Sequence, residues 1–231
     1  MYDPLQRENS IMEILGRFAE SSLPFVVVGG YAVSAYRHRF SIDADIVLSR
    51  EDLPGFEKIL KESGYEKTIS RKLENIYSSE FMRYEKKDIS ISVDLLIDGI
   101  GVRQTGAAFS FRFLMENSGK RMVEGIERSV KVHVPSREIL VIMKLHSGRL
   151  TDLRDVAALA HGLDIGMIRK HLFMGSQDVL NKNIRKLQSL LDDPDFRDSF
   201  KGVFMEKGYS IDTAEARKLA NLGQGSERQK H

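Results

Sequence analysis

The chain contains no cysteine, no long hydrophobic run and no dominant charge. Without cysteine, disulfides and thiolate metal sites are excluded, and a reducing cytoplasm is the natural compartment. No apolar stretch approaches the ~20 residues that cross a bilayer, so no membrane partner is expected. The opening residues, Met1-Tyr2-Asp3-Pro4-Leu5-Gln6-Arg7-Glu8, lack the apolar core of a secretory signal. Lys and Arg total 35 against 33 Asp and Glu, a net charge of +2, which neither demands nor forbids a nucleic-acid partner. There is no internal repeat and no low-complexity segment. The histidines at 38, 133, 146, 161, 171 and 231 make no HExxH or comparable ligand spacing. His38 is the one near the candidate residues, and a surface loop is its ordinary reading.

What is present is enough for a real core: 231 residues, 42% of them hydrophobic, suit one domain with an appendage or two small domains. Ile11, Ile14, Leu15 and Phe18 recur at helical spacing within Glu8–Glu20. Pro24 leads into the apolar run Phe25–Val28, a short strand, which Gly29-Gly30 break. Tyr31–Tyr36 reads as one or two helical turns, Asp43–Leu48 as a strand and Asp52–Ser63 as a helix. Ile76–Tyr84 and Ile89–Leu96 read as a strand pair around the polar turn Glu85–Asp88, and Val130–Val134 as a further strand. Phe109-Ser110-Phe111-Arg112-Phe113 alternates like an edge strand. The stretch holding Arg112, Lys120, Arg121, Arg128 and Lys131 is loosely basic; a solvated face is its default, an acceptor groove the alternative. Beyond Pro135 the pattern becomes helical: Ser136 caps a helix carrying Ile139, Leu140, Ile142, Met143 and Leu145, followed by helices over Leu150–His161, Asn181–Leu191 and Thr213–Leu222. The expected organisation is a core over 1–135, a helical part over 136–222 and a flexible tail over 223–231.

The residues with chemical potential lie on the strands. Asp43 and Asp45 alternate with Ala44 and Ile46, so both carboxylates point to one face, about 7 Å apart along the strand. Asp94 lies on the polar phase of Ile89–Leu96, with Ser90 and Ser92. If that strand pairs beside Asp43–Leu48, three carboxylates converge, and three like charges in one patch call for a cation. Mg²⁺ takes carboxylate oxygens while keeping positions open for substrate phosphates. Gly29-Gly30 at a strand end let backbone amides approach phosphate oxygens. Each part alone is weak. A Gly-Gly is usually a turn, and the second Asp-x-Asp, Asp193-Pro194-Asp195, reads as a turn between helices. The conjunction is what carries information.

That conjunction resembles the nucleotidyltransferase superfamily, whose fold is that of DNA polymerase β. Gly29-Gly30-Tyr31-Ala32-Val33 with Arg39-Phe40-Ser41-Ile42-Asp43-Ala44-Asp45 is similar to the minimal and AbiEii-type members, which show Gly-Gly and then Arg-x-Thr-x-Asp-x-Asp. Ser41 stands where threonine is usual and keeps the hydroxyl. Lys144-Leu145-His146-Ser147-Gly148-Arg149, followed by Asp152 and Asp155, is similar to that group's helical motif, with Thr151 in place of a lysine. The resemblance covers roughly residues 24–160; residues 165–231 match no pattern. It implies an α+β fold, a mixed β-sheet nucleotidyltransferase core flanked by helices with a helical C-terminal part. It further implies that Asp43 and Asp45 hold two Mg²⁺ (or Mn²⁺) ions. Asp94 completes the metal site and helps to activate the acceptor. Gly29 and Gly30 cradle the triphosphate. Lys144 reaches a phosphate or is a solvated helix lysine, and Arg39 contacts phosphate or locks the strand. Arg149 and Asp155 form a structural ion pair, and Asp152 is structural. The implied reaction moves a nucleoside monophosphate from an NTP to a hydroxyl on an RNA such as tRNA, a protein or a small molecule, releasing pyrophosphate. The alternative is a non-catalytic nucleotide-binding or regulatory protein of toxin–antitoxin type. A homodimer is left open.

Overall fold

The computed structural model describes residues 3–71, 80–204 and 211–222. The start of the strand expected from Ile76 and the tail 223–231 lie outside these residues. The fold is α+β, and the chain divides into two compact units: residues 1–101 with 108–136, and residues 102–107 with 137–231.

The first unit is built on a five-stranded mixed sheet. Its strands are β1 (Phe25–Val28), β2 (Asp43–Leu48), β3 (Glu66–Arg71), β4 (Glu80–Lys86) and β5 (Ile91–Ile97), in spatial order β1-β2-β5-β4-β3. The β2–β5 pair is parallel; the other pairs are antiparallel. The pairing of β5 beside β2, conditional at the level of sequence, is therefore present. Phe25–Val28 is buried throughout and β5 is buried along its whole length, consistent with apolar runs covered on both faces. Helix α1 (Pro4–Glu20) begins earlier than its apolar stripe indicates. Asp3 caps it by accepting from the Leu5 amide, and Pro4 sits where its missing N–H costs nothing. Phe18 of α1 meets Phe25 and Phe56 edge-to-face, with centroids 5.8 and 4.9 Å away, Phe56 belonging to α3 (Leu53–Glu62). This aromatic knot anchors α1 and α3 to β1.

Gly29-Gly30 do not break the chain into a turn. They are the first residues of the short helix α2 (Gly29–Ser34). Strands β6 (Gly99–Val102) and β7 (Ala107–Ser110) pair with each other. The edge strand expected over Phe109–Phe113 stops at Ser110. That hydroxyl accepts from the Phe113 amide at 3.1 Å and starts helix α4 (Phe111–Glu116), a side-chain cap overriding an alternating pattern. A hairpin of β8 (Ser118–Glu124) and β9 (Ser129–Pro135) completes the unit.

The second unit is helical: α5 (Arg137–Ser147), α6 (Leu150–Leu159), α7 (Ile165–Leu172), α8 (Gln177–Asp192), α9 (Pro194–Asp198) and α10 (Thr213–Ala220). Asp193 caps α9 through the Asp195 amide, so Asp193-Pro194-Asp195 is a helix start. Residues 102–107 belong here because Thr105 is tied to this unit. Its carbonyl accepts from Ser176 N at 2.7 Å, and its hydroxyl meets His146 Nδ1 at 3.0 Å. No helix among the described residues is long and apolar enough to cross a membrane.

Candidate active site

Strand register assembles the site. In the β2–β5 pair Asp45 lies opposite Asp94 and Asp43 opposite Ser92. Register partners on neighbouring strands project to the same face, and residues two apart on one strand share that face. Asp43, Asp45 and Asp94 therefore gather on one side of the sheet. Ser92 Oγ donates to Asp43 Oδ1 at 2.6 Å. Across the next pair, Arg83 of β4 lies opposite Asp94. Its guanidinium grips both oxygens, Nε to Oδ1 at 2.8 Å and Nη2 to Oδ2 at 2.8 Å. Burial raises the Asp94 carboxyl above the ordinary carboxylate range, and the Asp43 and Glu85 charges push the same way; the Arg83 hydrogen bonds and charge oppose this. Arg83 is itself raised, chiefly by its hydrogen bonds to Asp94.

The glycines are explained by the same crowding. Gly29 has φ +67°, and a Cβ there would run into the Asp45 carboxylate, 2.9 Å from its Cγ. A Cβ on Gly30 would lie 2.8 Å from the Ser41 Cβ and clash with its hydroxyl. Helix α2 can thus lie against the Asp-bearing strand only without side chains at these positions. Tyr31, fully buried, donates to the Ser41 carbonyl at 2.8 Å. Ser34 Oγ donates to the Arg39 carbonyl at 2.6 Å, so the backbone of Arg39 is held by α2. The guanidinium of Arg39 lies close to Gly30.

A pocket of about 290 Å³ opens beside this row, lined by Asp43, Arg83, Glu85, Lys87, Ser90, Ile91 and Ser92. Arg83, Glu85 and Lys87 were not singled out from sequence. The available signal was the polar phase of β4, Arg83 and Glu85 alternating with Met82 and Tyr84, which becomes informative only once β4 is known to pair with β5. His38 is less exposed than a surface loop residue. Its side chain is 21% exposed, and Nε2 lies 3.7 Å from Oε1 of the buried Glu8, whose Oε2 accepts from the Ile126 amide at 2.6 Å.

Lys144 belongs to the second unit and is not a solvated helix lysine. It is 8% exposed, with Nζ 2.8 Å from Asp152 Oδ1 and 2.7 Å from Asp155 Oδ2. Asp152 also accepts from Ser147 and Arg149. Burial raises Asp152, but the Lys144 charge and the hydrogen bonds from Arg149, Lys144 and Ser147 outweigh it and hold the carboxyl down at about 2. Asp155 thus finds Lys144, and Arg149 finds Asp152.

No protein-family model matches the chain, and no curated protein matches it significantly. Solved structures do. Among them are a candidate nucleotidyltransferase and an antibiotic adenylyltransferase. A candidate nucleotidyltransferase of Thermotoga maritima is similar at 21% identity over 65% of this chain and 89% of that one, with a TM-score of 0.47. The lincosamide antibiotic adenylyltransferase LnuA, with lincomycin bound, is similar at 18% identity over 67% and 96%, TM-score 0.46. ANT(2″)-Ia in complex with adenylyl-2″-tobramycin is similar at 14% identity over 78% and 98%, TM-score 0.47. At these scores the likeness decides nothing about chemistry, which the residues of the site have to carry.

Proposed function

We propose that this chain is a nucleotidyltransferase that moves a nucleoside monophosphate from an NTP to an acceptor hydroxyl. One observation carries the reading: the parallel pairing of β2 with β5 sets Asp45 beside Asp94, with Asp43 two residues away on the same face. The donor set suits a hard divalent cation, since Asp43 and Asp45 are carboxylates on one strand face, both partly exposed. Among the described residues no group of three His, Asp or Glu side chains stands ready to hold a metal ion, and both Asp94 oxygens accept from Arg83.

In the reaction the acceptor oxygen bonds to the α-phosphorus, the bond to the β-bridging oxygen breaks, and pyrophosphate leaves with that electron pair. Asp43 and Asp45 would hold the divalent ions, which supply electrophilic stabilisation of the phosphoryl oxygens. Asp94 borders the same spot and would help to take the acceptor proton once Arg83 releases one of its oxygens. Gly29 and Gly30 keep the backbone beside Asp45 narrow enough for a triphosphate to approach, and Arg39 lies next to them. Lys144 is held by Asp152 and Asp155, and phosphate contact would require it to leave them. The AbiEii-type assignment rests on the spacing from Gly29 to Asp45 and from Lys144 to Asp155. A second reading, a nucleotide-binding regulatory protein of toxin–antitoxin type, is favoured by the Arg83 grip on Asp94.

Incubation of the protein with each labelled NTP, Mg²⁺ or Mn²⁺, and separate pools of RNA, protein and small hydroxyl compounds tests this. Label incorporation should appear in one pool and fall about 10²–10³-fold in Asp43→Asn, the loss expected when charge stabilisation of the transition state is removed. Tight NTP binding without incorporation, indifferent to Asp43→Asn, would favour the regulatory reading.

A further inference from the structure

The site contains its own cation. Asp94, 5% exposed, lies in register between Asp45 on β2 and Arg83 on β4. The guanidinium is bidentate on it, at 2.8 Å through both nitrogens. Such a fork is stronger and more directional than a single ion-pair contact. It is also more than β4 and β5 need in order to stay together, because their backbones already pair from Glu80↔Ile97 to Lys86↔Ile91. Arg83 lines the same pocket as Asp43 and Ser92, and its side chain is 31% exposed, so it is reachable by an incoming ion or phosphate. Lys87, the other cation of that pocket, pairs with Glu66 at 3.0 Å with both side chains well exposed. Glu85, register partner of Ser92, adds a further negative charge to the pocket wall.

We infer that Arg83 is the resident counter-cation of the third carboxylate, holding the place on Asp94 that a divalent ion would otherwise take. This rests on the proposed nucleotidyl transfer only in assuming that Asp43 and Asp45 accept such an ion. In the nucleotide-free protein the ion then sits on Asp43 and Asp45, and Asp94 joins only when the guanidinium lets go. Arg83 is thus a positioning residue that sets how many ions the empty site attracts. A guanidinium that merely braced the sheet would leave ion affinity unchanged.

The test is Mn²⁺ binding without nucleotide, followed by electron paramagnetic resonance of the free ion, with thermal melts to confirm folding. Removing one positive charge near a divalent ion should strengthen its binding at least roughly tenfold, the value for a separation of about 6 Å in the dielectric of water, and more at any lower effective dielectric. Arg83→Gln should therefore bind Mn²⁺ at least about tenfold more tightly than the unaltered chain. Arg83→Lys, which keeps the charge, and the double change Arg83→Gln with Asp94→Asn, which removes the pair together, should stay within about twofold of it. The double change also remains interpretable if Arg83→Gln alone fails to fold, because no buried carboxylate is left unpaired. Asp43→Asn should lose the ion in every background. Arg83→Gln binding no more tightly, while Asp43→Asn still abolishes binding, overturns the role of Arg83 and leaves the nucleotidyl transfer reading intact. A double change that loses the ion also overturns it, since Asp94 would then be a ligand in the resting site. Mn²⁺ binding that is indifferent to Asp43→Asn counts against the transfer reading itself.

Discussion

At the scale of single residues, the site is defined by what cannot fit. Gly29 and Gly30 suggest a phosphate-approaching backbone from sequence, and the structure supplies a more immediate constraint, since α2 is pressed against Asp45 and Ser41. The two glycines are constrained differently. Gly29 combines a φ of +67° with an obstructing Asp45 carboxylate, so Gly29→Ala carries a backbone strain of about 1–3 kcal/mol and displaces a candidate ion ligand. The nearest atoms to a Cβ on Gly30 belong to the Ser41 side chain and the Arg39 guanidinium. Gly30→Ala should accordingly lose activity but regain a large part of it with Ser41→Gly, whereas Gly29→Ala should not be rescued by any change at position 41. Transfer assays of the four variants separate these outcomes, and rescue of Gly29→Ala by Ser41→Gly would refute this account of the crowding.

At the scale of elements, local chemistry decided boundaries that periodicity blurred. The Ser110 hydroxyl turned an alternating aromatic run into a strand followed by a helix, and Asp193 turned a supposed break into a helix start. The same scale holds the ion network of α5 and α6. Lys144 sits between Asp152 and Asp155, all three buried. Lys144→Met should cost about 3–5 kcal/mol, because two buried carboxylates lose their shared cation. Acid should act in the same direction. Asp152 is depressed from 3.8 to about 2 in the folded chain, so its ionisation stabilises the fold above the unfolded value and that contribution disappears as pH falls from about 4 towards 2. The loss is on the order of 2 kcal/mol. Urea unfolding at pH 5 and pH 2.5 should show it, and Asp152→Asn should flatten that part of the pH dependence.

At the scale of the whole molecule, each unit carries its own core, and the first rests on the Phe18–Phe25–Phe56 knot. Phe56→Ala should destabilise the protein by about 3–5 kcal/mol in urea unfolding, the range for truncating a buried aromatic ring. An effect below about 1 kcal/mol would mean that α3 is not essential to that core. Much of this layout is legible in the sequence. The α1 stripe, the Phe25–Val28 run, the Asp43–Leu48 alternation and the helical pattern after Pro135 each express a period that backbone geometry imposes on burial. Strand β3 and helix α7 were not legible. The six residues of β3 are largely exposed, and a strand that buries little has no hydrophobic period to read. Sequence by itself determined which residues could do chemistry, since alternation puts Asp43 and Asp45 on one face whatever their neighbours are. Only the tertiary structure decided that Asp94 stands beside Asp45 with Arg83 clamped on it. Strand order and register are long-range choices, made by the packing of whole faces and not by any residue that takes part in them.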